Sequence, residues 1–207
     1  MAKFSAQQQR DRASNFPSTA FDIVAVAASA GGLNALTQVL SDLPAQFPAA
    51  VVVVQHLDPN HRSLIANILS RHTPMQVKQA EEEDNLSPGT VYIAPPNHHL
   101  LVNSDGTLSL TQSEQVHFVR PSADLLFDSV AASYKQRAIA VVLSGTGSDG
   151  AMGVQTIKKM GGIAIAQDQE TAEFSGMPAA AIHTGDVDFI LPLSQVAAAL
   201  ISLVMPG

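Results

Sequence analysis

Three side chains of types that can together carry out acyl transfer, Ser29, His56 and Asp149, each stand just beyond a run of small or β-branched apolar residues. A hydroxyl is a weak nucleophile until a neighbouring base takes its proton. Imidazole suits that task near neutral pH, and a carboxylate can orient the ring and stabilise its cation. Ser29 lies in Ala27-Ala28-Ser29-Ala30-Gly31-Gly32. A nucleophile on a sharp strand-to-helix turn needs small neighbours, the requirement behind the G-x-S-x-G elbow. Here Ala27 takes the first glycine position and Gly31 the second. Free N–H groups at the start of the following helix favour a developing oxyanion, and Ala30, Gly31 and Thr146 are candidate backbone donors. The same serine could instead simply cap that helix.

His56 closes Val51-Val52-Val53-Val54-Gln55. A histidine there can be only the polar end of a strand, or, with Ser29 one crossover away, a general base. His61, His72, His98, His99, His117 and His183 are less well placed. A metal reading of His56, Asp58 and His61 lacks both a helical i,i+4 histidine pair and a Cys set. Asp149 stands in Ser144-Gly145-Thr146-Gly147-Ser148-Asp149-Gly150. Those glycines could cradle a phosphate. However, no Lys-Ser/Thr pair follows, and no acidic residue ends the second apolar run, where a dinucleotide fold holds its ribose. The third triad role fits better. The order Ser…His…Asp differs from the Ser…Asp…His of α/β-hydrolases.

The elements that must position these residues alternate along the chain. Strands are expected at 22–28, 50–55, 138–143, 163–167 and 189–191, and helices at 31–41, 61–71, 122–134, 178–183 and 194–205. The glycine-rich loop 144–150 opens a further helix running to Met160, stopped by Gly161-Gly162. Between them lies a β-rich middle at 75–79 and 90–93, with a hairpin pairing 100–102 and 108–111 around Asp105-Gly106. Ser122, after Pro121, is a candidate N-cap. The pattern predicts an α/β, doubly wound, mostly parallel sheet with helices on both faces and a small antiparallel hairpin. In such sheets ligands bind beyond the carboxyl ends of strands, where Ser29, His56 and Asp149 all fall.

Composition narrows the function classes. Hydrophobic residues make up 46% of the 207 and aromatics only 5%, which suits buried strands of Val, Ile and Ala under helices. The net charge of −7, with 11 Lys plus Arg, argues against nucleic-acid binding through phosphate neutralisation. Without cysteine, thiolate nucleophiles, disulfides and Cys-based metal sites are excluded. The Glu81-Glu82-Glu83-Asp84 run reads as a solvated loop. Residues 1–20 are polar and aperiodic, a disordered tail or linker, with the fold expected over 21–207. No signal peptide or membrane span is expected.

At its three reactive places the chain resembles the catalytic domain of the CheB family, the protein-glutamate methylesterases of bacterial chemotaxis. The matching segments are Ala28-Ser29-Ala30-Gly31-Gly32-Leu33, Gln55-His56-Leu57 and Leu143 through Gly150. Val91-Tyr92-Ile93-Ala94-Pro95-Pro96, Arg120-Pro121-Ser122-Ala123-Asp124-Leu125-Leu126-Phe127 and Gly176-Met177-Pro178 match as well. The resemblance is collinear over residues 21–205, and its wording looks most like the free-standing or methyltransferase-fused branch. It implies a serine esterase that hydrolyses glutamyl methyl esters on chemotaxis-type receptors, releasing methanol, and deamidation of receptor glutamines. In it Ser29 is the nucleophile, His56 the base and Asp149 the orienting acid, with no metal or organic cofactor. The implied partners are methylated receptor cytoplasmic helices and a partner methyltransferase or response-regulator protein, in the cytoplasm.

Three departures from the family pattern bear on this. Residues 1–20 are too few and too polar for the family's receiver domain, so a catalytic domain without one, active without phosphorylation, is expected. Ala27 replaces the usual glycine, and Ala179 replaces the usual arginine after Met-Pro. The competing readings are a nucleotide-binding module and a catalytically silent regulatory module on the same fold.

Overall fold

The computed structural model describes residues 21–56 and 64–205. The expected tail, Asp58, His61 and the first three residues of the helix expected from 61 lie outside these. In chain order the elements are β1 (Ile23–Ala28), α1 (Gly32–Ser41), β2 (Ala50–Gln55), α2 (Ile65–Leu69), β3 (Gln76–Gln79), β4 (Thr90–Ile93), β5 (His99–Val102) and β6 (Leu108–Thr111). There follow α3 (Ala123–Tyr134), β7 (Ala138–Val142), α4 (Ala151–Lys159), β8 (Ile163–Gln167), α5 (Gly176–His183), β9 (Phe189–Leu191) and α6 (Leu193–Val204), with a 3-10 turn at Lys135–Arg137.

Seven strands form one parallel sheet in the order β3-β4-β2-β1-β7-β8-β9, and β5 and β6 pair antiparallel as a separate hairpin. β1, β2 and β7 are buried along their whole length, as expected of central strands covered on both faces. The alternation of the pleat divides β1 between two cores. Ile23, Ala25 and Ala27 face the core formed with α3, α4, α5 and the hairpin, which contains Leu126, Phe127, Val154 and Met177. Val24, Val26 and Ala28 face the other core, with Leu36 and Leu40 of α1, Leu69 of α2 and Leu200 of α6. The expected doubly wound α/β sheet with its hairpin is therefore the observed architecture.

Two details differ from the sequence reading. The described part of the second helix is only the five residues of α2. β3 and β4, which read as part of a β-rich middle, extend the main sheet beyond β2 instead of joining the hairpin. The hairpin rests on α3: Ser129 Oγ accepts from the Val102 N–H at 3.0 Å, and Ser133 Oγ donates to the Val102 carbonyl at 2.9 Å. Among the described residues no helix is long and apolar enough to cross a membrane.

β1 and β7 are neighbours whose connections run in opposite directions. β1 leads through α1 to β2 on one side, and β7 leads through α4 to β8 on the other. The loops at their carboxyl ends part there, and the resulting crevice is where open α/β sheets take their ligands.

Candidate active site

Backbone bonds that continue the ladders of β1, β2 and β7 hold Ser29, His56 and the start of the loop that carries Asp149 at this crevice. The Ser29 N–H donates to the Ser144 carbonyl at 3.0 Å, the His56 N–H to Ala28 at 3.0 Å and the Leu143 N–H to Ala27 at 2.9 Å. The Ser29 carbonyl accepts from Gln55 Nε2 at 2.7 Å and from the Gly32 N–H at 2.9 Å, which tightens the turn into α1. Gly31 makes that turn with φ +70°, a conformation open to glycine without steric cost. Gly145 serves a different need. A Cβ there would lie 2.9 Å from the Ser29 Cβ and collide with the Met177 sulfur, so only glycine lets this loop approach the serine.

Asp149 is almost fully buried, and four donors meet its carboxylate. Oδ2 accepts from His56 Nε2 at 2.8 Å and from the Ala123 N–H at 2.6 Å. Oδ1 accepts from Ser122 Oγ at 2.9 Å and from the Asp124 N–H at 3.0 Å. The carboxylate thus sits on the amino terminus of α3, where unpaired N–H groups and the helix dipole favour negative charge. Burial pushes its pKa up, but the bonds from His56, Ala123 and Asp124 outweigh burial and hold it below the usual carboxylate value. With Nε2–H given to Asp149, Nδ1 is the ring nitrogen of His56 left to accept a proton. This reverses the ring usage of the chymotrypsin-type triad, where the aspartate holds Nδ1.

Further residues support this arrangement from behind. Asp124, in the first turn of α3, accepts from the Gly150 N–H at 2.9 Å and the Gly153 N–H at 2.7 Å, and so binds the start of α4. Burial, with the neighbouring Asp149 charge adding to it, pushes the Asp124 pKa up to about 6. His99 is fully buried. Its Nδ1 accepts from the Ser122 N–H at 3.1 Å while Nε2 meets the Glu114 carbonyl at 3.0 Å. Burial lowers the His99 pKa, and the neutral ring, with Nε2–H donating to Glu114, satisfies both contacts.

Ser29, His56, Thr146 and Asp149 line one open cleft of about 240 Å³. Ala30 and Gly31 do not line it. The N–H of Thr146 makes no hydrogen bond among the described residues, whereas that of Gly145 is taken by the Phe174 carbonyl at 2.8 Å. The Ser29 hydroxyl is likewise unpartnered among the described residues, and catalytic hydrogen bonds often tighten only around substrate. His117, passed over in the sequence, lines the cleft together with Val119. The roles of Asp124 and His99 were not read from the sequence either. The Ser122 cap was: its Oγ accepts from the Leu125 N–H at 3.4 Å, and its second task, donation to Asp149, was not foreseen.

The family model for CheB methylesterase matches residues 24–200. A protein of Leptospira interrogans, provisionally named protein-glutamate methylesterase/protein-glutamine glutaminase, is 40% identical over 183 residues, covering 88% of this chain and 95% of that protein. The Myxococcus xanthus protein-glutamate methylesterase FrzG is 41% identical over 188 residues, 91% of this chain and 56% of its own length. The crystal structure of the Thermotoga maritima CheB methylesterase catalytic domain superposes with a TM-score of 0.86 at 38% identity, over 89% of this chain and 99% of that one.

Proposed function

Because this chain belongs to the CheB methylesterase family, we propose that it hydrolyses glutamyl methyl esters of proteins through Ser29, His56 and Asp149. The observation that carries this assignment is the 2.8 Å contact between His56 Nε2 and the buried Asp149 carboxylate, on the cleft that Ser29 lines. Asp149 keeps the proton on Nε2, so Nδ1 is free to take the Ser29 proton as Oγ attacks the ester carbonyl. The oxyanion is met by the N–H of Thr146, which lines the cleft and makes no hydrogen bond among the described residues. His56 then returns the proton to the departing methoxide, and methanol leaves an acyl-serine. Water, deprotonated by His56, attacks that ester, and free glutamate and Ser29 are regenerated. With an amide in place of the ester, ammonia leaves by the same steps, which is the glutaminase half of the Leptospira relative's name.

The substrate we propose is a methylated chemoreceptor, met through its cytoplasmic helices. A methyltransferase that makes the ester and a response regulator that controls its removal are the corresponding partners, and the cytoplasm is the corresponding compartment. The test is methanol release from a methylated receptor fragment by the full chain and by Ser29→Ala. The variant is expected to melt at the wild-type temperature and to lose on the order of 10⁶ in kcat. Activity within about tenfold of wild type would remove Ser29 from the mechanism.

A further inference from the structure

The cleft has room for an ester-bearing side chain, so the polypeptide that carries it must lie across the rim. One feature of the rim has no role in the chemistry above. Val116 and Val119 close a two-residue turn, with N–H to carbonyl bonds of 3.2 and 2.9 Å in the two directions. Its central residues, His117 and Phe118, both have positive φ, at 49° and 65°. Primed hairpin turns of this kind favour Asn-Gly, and an aromatic residue there is an uncommon choice. The strained backbone aims Phe118 outward, and at 94% exposure it is the most exposed large apolar side chain described.

The chain beside the turn is tied down. The Arg120 guanidinium donates to the carbonyls of Gln112 and Ser113 at 3.0 and 2.7 Å, and to Asn97 Oδ1 at 3.0 and 2.7 Å. His117 and Val119 flank Phe118 in sequence and line the cleft with Ser29 and His56. His117 Nε2 also lies 3.9 Å from Asp124 Oδ2, a buried oxygen without a hydrogen-bond partner among the described residues. An exposed aromatic presented beside a reactive cleft, on backbone strained to present it, is the form of a binding anchor.

We infer that the 116–119 turn docks the protein substrate, with Phe118 packing on an apolar side chain of the polypeptide next to the esterified glutamate. This rests on the protein-esterase reading above. It makes the turn a determinant of selectivity for protein over small esters, separate from the machinery that cleaves the bond.

The test uses the full chain as wild type, Phe118→Ala and Phe118→Leu. Two readouts are compared, methanol release from a methylated receptor fragment and hydrolysis of p-nitrophenyl acetate. The ratio of kcat/KM for the protein ester to that for the small ester is expected to fall about tenfold in Phe118→Ala, mainly through KM. Phe118→Leu, which keeps an apolar anchor, is expected to recover most of the loss. A Phe118→Ala ratio within about twofold of wild type overturns the docking role and leaves the esterase assignment standing. An equal fall on both substrates also overturns it, since Phe118 would then be supporting the cleft. A wild-type chain that cleaves the small ester but releases no methanol from methylated protein overturns the protein-esterase reading, and docking with it.

Discussion

An amide cannot replace the Asp149 carboxylate, because Ala123 N–H, Asp124 N–H, Ser122 Oγ and His56 Nε2 all donate to it. With Asn at this position, either orientation sets an NH₂ group against a backbone N–H. If the amide nitrogen occupies the Oδ2 place, it donates to His56 Nε2 and drives the ring proton to Nδ1, the nitrogen proposed to accept from Ser29. Asp149→Asn is therefore expected to lose on the order of 10⁴ in kcat. It is also expected to lose about 1–3 kcal/mol of stability, because one buried donor is left unsatisfied. Single-turnover kinetics and urea denaturation measure the two effects separately. Full activity in this variant would mean that the proton position on His56 is set by something other than Asp149.

At the scale of elements, α3 and α4 exchange carboxylates. Asp149, just before α4, caps α3, and Asp124, in the first turn of α3, binds the start of α4. The two acids titrate in opposite senses, Asp149 below its ordinary value and Asp124 up to about 6. Asp149 therefore stabilises the fold above its unfolded pKa, and that contribution is lost as pH falls through its folded value. For Asp124 the folded state binds the extra proton between its ordinary value and about 6, so its contribution to stability declines as pH rises through that window. Asp124→Asn keeps an acceptor for the Gly150 and Gly153 N–H groups and should flatten this slope. In urea denaturation at intervals from pH 4 to 8, the difference between variant and wild type should move in the variant's favour with rising pH. A pH-independent difference would show that the Asp124 charge has no cost in its buried site. How much was legible in the sequence follows the same division. Val51 to Val54, the Asp105-Gly106 turn and the Ser122 cap announce their elements locally, and Ser29, His56 and Asp149 could be gathered because Ser29 and His56 each follow a recognisable strand and Asp149 stands in the glycine-rich loop after another. β3, Gln76–Gln79, has little apolar pattern and takes its place only by pairing with β4. The contacts of His99 with Ser122, and of Asp124 with Gly150 and Gly153, bridge 23 to 29 residues of sequence. The place of His117 depends on a turn whose residues do not advertise it. No local periodicity encodes such pairings.

At the scale of the whole molecule the charge balance opposes the receptor substrate proposed above. The chain carries 18 Asp plus Glu against 11 Lys plus Arg, a net charge of −7. Several of its cations are already engaged internally: Lys78 with Asp84, Lys158 with Asp188, Arg137 with Asp22, and Arg120 in the loop beside the cleft. A receptor segment that offers glutamates for methylation is itself acidic, so the long-range field slows encounter. That leaves short-range apolar contact, such as the one inferred for Phe118, to hold the complex. Salt should therefore help this enzyme, since the Debye length shrinks from about 30 Å at 0.01 M to about 8 Å at 0.15 M. Over that range kcat/KM for a methylated receptor fragment is expected to rise about threefold, while hydrolysis of the neutral p-nitrophenyl acetate barely changes. Steady-state kinetics on both substrates across an ionic-strength series measures it. A kcat/KM for the protein substrate that falls as salt is added would mean that local Lys or Arg contacts govern docking and outweigh the net repulsion.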